Sequence, residues 1–168
     1  PQTDAPVDLQ DVPWAQEAIA ALGQYGLIQT ENGCFYPKRA ITRAEFTKLL
    51  IGAFGMYNAA ASCGFSDVPE DDPYYGYIAS AYELGVIKGY SDTWFARDGH
   101  LTREDLAVMI YRMGVLADVP FENRPALTFA DASDIAGYAV EAVRALAGAQ
   151  AVSGDDANRF CPKNYATR

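Results

Sequence analysis

A Thr-Arg pair stands three times in this chain, as Thr42-Arg43, Thr102-Arg103 and Thr167-Arg168, each at the same offset after a phenylalanine, Phe35, Phe95 and Phe160. In Thr42-Arg43-Ala44-Glu45 the threonine and the glutamate have the spacing of a capping box, in which the hydroxyl accepts the N3 amide and the carboxylate returns to the cap amide. Thr102 with Asp105 is a weaker version of the same cap. Capping leaves the arginines unexplained. A cation at the first helical position faces the positive end of the helix dipole, at a cost of about 0.3 kcal/mol or more. Two chemistries account for its recurrence. Free N–H groups at a helix start, joined by a planar guanidinium fork, suit a carboxylate or phosphate. Alternatively, each arginine pairs with an aspartate of a neighbouring repeat. The first makes Arg43, Arg103 and Arg168 anion-binding residues.

Around these pairs stand further candidates. Asp11, Asp67 and Asp131 recur in Leu9-Gln10-Asp11-Val12-Pro13, Phe65-Ser66-Asp67-Val68-Pro69 and Phe129-Ala130-Asp131-Ala132. Asp72 and Pro73 are expected to cap and begin the next helix, so Asp67 falls too early to cap. It is assigned to ordering the loop, bridging an arginine or accepting sugar hydroxyls. Trp14, Tyr74, Tyr75, Tyr77, Trp94 and Tyr138 offer flat apolar faces of the kind that stack on sugars. Periodicity sends Tyr77 to the core, and Trp94, in a loop with Ser91 and Asp92, is the better ligand candidate. Lys38, Arg97 and Lys163 follow the three phenylalanines and either add positive charge to the same grooves or are solvated.

These residues need elements to hold them, and the elements repeat as well. Each unit reads as helix, loop, helix. In the first, Trp14, Ala18, Ile19, Leu22 and Tyr25 share one helical face. Gly26 ends that helix where a positive φ is needed, and Gly85 does the same in the second unit. Gln150 occupies that place in the third, at a strain cost or with a different ending. The second helices begin at the threonines. Phe46, Leu49, Leu50, Ala53 and Phe54 form one stripe, and Leu106, Met109, Ile110 and Met113 another. Linkers fall at 58–64 and 118–127, dividing the chain into units 1–58, 59–118 and 119–168. One helix pair cannot bury its apolar face, but three can share a common axis. The third unit reaches Arg168 where its second helix would start, so further chain or another segment is expected to complete that part of the core.

Composition narrows the function. Of 168 residues 50% are hydrophobic, enough for a packed core. A net charge of -9 argues against a nucleic-acid role and removes long-range attraction to any anionic polymer, leaving recognition to a few local cations. The three cysteines, Cys34, Cys63 and Cys161, cannot all pair within the chain, and with His100 alone they make no zinc set; part-buried thiols are expected. No apolar run is long enough to span a bilayer. The opening Pro1-Gln2-Thr3-Asp4-Ala5-Pro6 reads as a linker or as residues following a cleavage site.

Taken together, these features resemble the S-layer homology family. The resemblance rests on Phe65-Ser66-Asp67-Val68, Gly85-Val86-Ile87, Phe35-Tyr36-Pro37 and Ile41-Thr42-Arg43-Ala44-Glu45, and covers nearly the whole chain. The second unit departs from the family pattern at Thr102-Arg103-Glu104-Asp105 and at Arg97, the third at Gln150. The resemblance implies an all-α fold of three helix-loop-helix repeats, a pseudo-trimeric three-pronged spindle around a central helix bundle. It implies an extracellular, non-catalytic module on the bacterial cell wall or S-layer, fused to a larger surface protein. It further implies binding of a secondary cell-wall polysaccharide ending in a carboxylate-bearing, pyruvylated sugar, with the carboxylate on Arg43, Arg103 and Arg168, Arg43 first. Asp11, Asp67, Asp131, Trp14, Trp94 and Lys38 complete the expected ligand set. No metal or cofactor is expected, and neither a nucleic-acid partner nor membrane insertion.

Three rival readings have some footing. Asp71-Asp72 and Asp155-Asp156 supply carboxylates for a glycosidase, but they sit in loops without a surrounding catalytic motif. Asp92 to Gly99 does not fit a calcium-loop pattern. The apolar stripes also suit a self-assembly module.

Overall fold

A computed structural model describes residues 6–121 and 123–168; the expected leader or linker, residues 1–5, lies outside the described residues. Among those described, the chain forms five α-helices and two short 3₁₀ turns: α1 (Gln16–Gln24), α2 (Arg43–Ala53), α3 (Tyr75–Glu83), α4 (Arg103–Leu116) and α5 (Val140–Gly148). The only β pairing among them is a handful of isolated bridges. The fold is therefore helical: two helix-loop-helix pairs, α1–α2 and α3–α4, are followed by α5 alone among the described residues.

The helix ends follow the sequence closely. At α1 the N–H of Gly26 donates to Gly23 O at 3.0 Å and that of Leu27 to Leu22 O at 3.1 Å, with φ of Gly26 at 68°. Gly85 and Val86 repeat this after α3, and Gln150 and Ala151 after α5. Gln150 thus keeps the glycine geometry, at φ 57°, rather than ending the helix differently. Thr42 and Glu45 form the full capping box, and Thr102 Oγ1 accepts the N–H of Asp105 at 3.2 Å.

Three expectations shift. α3 starts at Tyr75 with Tyr74 as its cap, not at Asp72-Pro73. Asp72 instead closes a turn before the helix, its Oδ1 accepting the Tyr74 N–H at 2.8 Å. On α1 only Ile19 is buried, while Trp14 and Tyr25 are 84% and 80% exposed. On α2 the buried set is Arg43, Ala44, Thr47, Leu50 and Ile51, so the inward face lies beside the predicted stripe and Phe54 is exposed. That face is turned inward by the direct packing of α2 on α3 of the next repeat, as α4 packs on α5.

The repeats are tied at the residue preceding each threonine. Ile41 N–H donates to Ala166 O (2.9 Å), Ala166 N–H to Leu101 O (2.8 Å) and Leu101 N–H to Ile41 O (3.2 Å), a closed ring with one member from each unit. All three residues are buried in the main core, with Phe65, Phe95, Ile78 and Met113. Cys34, Cys63 and Cys161 are unpaired and half-buried.

Candidate ligand groove

The three arginines do one structural job in rotation. Arg43 Nε donates to Phe95 O at 3.0 Å and Nη2 to Lys88 O at 2.9 Å, with the guanidinium 4.6 Å from the Phe95 ring centre. Arg103 meets Phe160 O (2.8 Å), Ser153 O (3.4 Å) and the Phe160 ring (5.0 Å) in the next repeat. Arg168 closes the circle on Phe35 O (2.7 Å), Gln29 O (2.7 Å) and the Phe35 ring (4.5 Å). Each arginine therefore clamps the phenylalanine loop of the following unit through its carbonyls. The alternative, pairing with a neighbouring aspartate, does not occur, since none of the three forms an ion pair among the described residues. Burial pushes the Arg43 pKa down, opposed by Tyr90 and Asp105, but a guanidinium stays charged.

The helix N-terminus is not an open anion site. The N–H of Arg43 goes to Gly99 O (2.9 Å), that of Ala44 to Arg97 O (3.0 Å) and that of Glu45 to Thr42 Oγ1 (3.2 Å). Neighbouring chain and cap use the amides that the sequence left free. What remains for a ligand at Arg43 is the guanidinium, whose Nη1 has no hydrogen-bond partner among the described residues.

The aspartates order the phenylalanine loops. Asp67 accepts the N–H of Phe95 and of Arg97, both at 2.9 Å, and Asp131 those of Phe160 and Cys161, both at 2.7 Å. In the first repeat Asp8 does this work, accepting Phe35 N–H (2.7 Å) and Tyr36 N–H (2.6 Å). Asp11 is in the matching register, since Val12 N–H reaches Leu9 O as Val68 N–H reaches Phe65 O. Yet its carboxylate points to an exposed pair with Lys38 at 2.6 Å. Burial pushes the Asp67 carboxyl up, but the two N–H bonds outweigh it and hold the group below its ordinary value. The Phe35 N–H, foremost, does the same for Asp8. The residue after each phenylalanine has a positive φ (Tyr36 57°, Ala96 62°, Cys161 54°), a left-handed turn that these carboxylates brace.

A groove of about 400 Å³ opens beside Arg43, between residues 86–90, α4 and Tyr138, and so draws on all three repeats. Arg112 lines it and donates from Nη1 to Val86 O at 3.2 Å. Tyr90 lies 5.0 Å from the Arg43 guanidinium. Tyr138 Oη donates to Asp105 Oδ1 at 2.8 Å, with Glu104 Oε1 at 3.4 Å. Burial, then the two carboxylates, pushes the Tyr138 hydroxyl well above its ordinary value. The corresponding groove at Arg168, lined by Leu27, Glu45 and Lys48 among others, is reduced to about 20 Å³. Leu27 replaces the smaller Val86 there and leans onto Gly52, the counterpart of Arg112: a Cβ on Gly52 would stand 2.1 Å from Leu27 Cδ2.

Of the expected ligand set, only Arg43 lines the larger groove. Trp14 stands exposed in the turn before α1. Trp94, half exposed, accepts the Tyr90 N–H on its carbonyl at 2.8 Å and so shapes the loop rather than the groove wall. Arg97 pairs with Asp72 at 2.8 Å, and Lys163 with Glu104. Tyr90, Arg112 and the Glu104–Asp105 pair were not singled out as ligand candidates from sequence. Arg112 lies nine residues beyond Arg103, where the first repeat has Gly52, so the repeat pattern itself hid it.

Comparison with known proteins gives these geometries a family. The model of the S-layer homology domain matches residues 7–47, 64–107 and 128–168. An amylopullulanase of Thermoanaerobacterium thermosulfurigenes is 32% identical over 96% of this chain, which spans 9% of that protein. The exoglucanase XynX of Acetivibrio thermocellus is 32% identical over 96% of the chain and 15% of its own length. The surface-layer 125 kDa protein of Lysinibacillus sphaericus is 33% identical over 86% of the chain and 12% of its own. One segment thus recurs in two proteins named as enzymes and in one named as a surface layer, so the enzyme names describe other parts of those proteins. The chain belongs to the S-layer homology family, as three tandem repeats of an extracellular module associated with the cell wall.

Proposed function

We propose that the chain is a non-catalytic anchor that holds a larger surface protein on the bacterial wall by binding a secondary cell-wall polysaccharide, and that the Arg43 groove receives a terminal sugar bearing a carboxylate, such as a pyruvylated one. The observation that carries this is Arg43 itself. Two carbonyls fix its guanidinium, Nη1 remains without a partner among the described residues, and a groove of about 400 Å³ with a second arginine opens beside it. A preorganised fork of this kind suits a carboxylate, because its orientation is set before the ligand arrives. The net charge of -9 supports local rather than diffuse recognition. Fusion to a larger protein accords with the small share of each relative that the chain spans.

The same reading extends to the architecture. The closed ring through Ile41, Leu101 and Ala166, and the rotation of the three arginine clamps, support a three-pronged spindle whose second helices share a central axis. Arg168 lines a related groove that Leu27 narrows, and is the weaker site; Arg103 is assigned to ligand binding only through the clamp geometry it shares with Arg43. Asp67 and Asp131, and Asp8 in place of Asp11, act by holding the loops.

Calorimetric titration with a pyruvylated N-acetylhexosamine methyl glycoside, beside its unpyruvylated form, tests the assignment. Binding of the pyruvylated glycoside alone is expected. Equal binding of both would remove carboxylate recognition by Arg43.

A further inference from the structure

The third repeat contributes one side chain to the Arg43 groove, and its placement is unusually constrained. Tyr138 stands in the turn just before Ala139, the cap residue of α5. The residue is 61% exposed and lines the groove, but its hydroxyl is held. The single phenolic proton is presented to Asp105 Oδ1 at 2.8 Å, with Glu104 Oε1 at 3.4 Å. Glu104 is only 3% exposed and is itself fixed: Oε2 accepts the Ala136 N–H at 2.9 Å, and Oε1 pairs with the Lys163 ammonium. The first repeat has Ala44 at the position of Glu104, so it carries no charge there. A buried carboxylate is costly unless paired and hydrogen-bonded, and here every contact leads to the third repeat.

Arg43, Arg112 and Tyr138 line the same groove, and Asp105, which takes the Tyr138 proton, lines it beside them. With both carboxylate and phenol already engaged, the face of the Tyr138 ring is what the tyrosine offers to a sugar whose acid substituent meets Arg43.

We propose that Tyr138 is a specificity-determining platform on which the pyranose ring of the bound acidic sugar stacks, and that Asp105, which takes its phenolic proton, and Glu104, which holds the turn before α5 through the Ala136 N–H, are the residues that position it. The proposal rests on the Arg43 groove being the site of an acidic sugar. An aromatic ring anchored by its hydroxyl presents a fixed apolar face, with little rotamer freedom left to lose on binding.

The test is titration of the wild type, Tyr138→Ala, Tyr138→Phe and Glu104→Gln with the pyruvylated N-acetylhexosamine methyl glycoside, with thermal unfolding as a check on folding. Proton NMR of the bound glycoside runs in parallel. Loss of the ring should weaken binding about five- to tenfold, the order of one aromatic contact. Tyr138→Phe keeps the ring and loses the tether, and should weaken it about twofold, as should Glu104→Gln. The sugar-ring protons should show an upfield ring-current shift in wild type and in Tyr138→Phe. That shift should vanish in Tyr138→Ala, while the pyruvyl methyl signal keeps its bound position. A merely structural role would not separate the two signals. Wild-type affinity and an unchanged sugar-ring shift in folded Tyr138→Ala would overturn the platform while leaving the Arg43 site standing. A wild type that binds no glycoside would overturn both.

Discussion

The guanidinium of Arg43 lies 4.6 Å from the centre of the Phe95 ring while its Nε donates to that same residue's carbonyl at 3.0 Å. One side chain thus holds the neighbouring repeat by both its ring and its backbone. The Phe95 N–H is held in turn by Asp67, so arginine, phenylalanine and aspartate form one chain of contacts across two repeats. The motif arginine is a structural clamp even before any ligand arrives.

Removing that clamp should cost stability. Arg43→Ala loses two charge-assisted hydrogen bonds and a ring contact at a site 8% exposed, and should destabilise the domain by about 3 kcal/mol. Arg103→Ala should cost less, since one of its bonds is 3.4 Å long and exposed. Arg43→Lys should recover little, because an ammonium cannot span both carbonyls as the fork does. Urea unfolding monitored by circular dichroism gives the ranking.

The first repeat offers a sharp comparison between two aspartates three residues apart. Asp8→Ala removes the acceptor of two backbone N–H groups, whereas Asp11→Ala removes only an exposed pair with Lys38. Thermal unfolding should show a clear loss for Asp8→Ala and nearly none for Asp11→Ala. Asp67→Ala, the counterpart of Asp8→Ala, should cost about 1–2 kcal/mol. Equal losses at Asp8 and Asp11 would overturn this division of labour.

Acid should weaken the same loops. Asp8 and Asp67 are held below the ordinary carboxyl value of 3.8 in the folded chain. Above that value both folded and unfolded forms are ionised, and the stabilisation is complete. As pH falls below it, the unfolded chain takes up protons first, and the contribution is lost as pH passes the folded values. Denaturant midpoints of the wild type and of Asp8→Asn and Asp67→Asn should therefore converge below about pH 4 and stay apart at neutral pH.

Gln150 keeps a left-handed turn, φ 57°, that glycine supplies in the other two repeats. Relief of a left-handed side chain is worth about 1–2 kcal/mol, against which glycine adds unfolded-state entropy of about 0.5–1 kcal/mol. Gln150→Gly should therefore stabilise by about 0.5 kcal/mol, seen as a small rise in Tm.

Much of this was legible in the sequence because it depends on local rules. The capping box at Thr42-Glu45 and the left-handed ends at Gly26 and Gly85 are set within a few residues, and each appeared where its chemistry requires. What escaped the sequence depends on contacts far apart in the chain. The inward face of α2 is set by α3, so Phe54 reads as core and is exposed. Arg43 reads as surplus to its helix because its carbonyl partners lie 45 and 52 residues away. Asp11 keeps the repeat register, yet Asp8 reaches the loop, a choice of side-chain direction that spacing does not encode. Tyr90 and Arg112 belong to a groove that exists only once three repeats meet, whereas Tyr138 is already a stacking candidate by residue type.

Wall anchoring through the Arg43 groove is tested most directly by co-sedimentation of the domain with purified bacterial walls that carry a pyruvylated secondary polymer, beside walls stripped of it. The chain should be retained on the intact walls alone, with retention falling less than about tenfold between low and physiological salt, since a few fixed contacts rather than a diffuse field carry it. Equal retention on both walls, or on neither, would contradict polymer binding as the function of this groove.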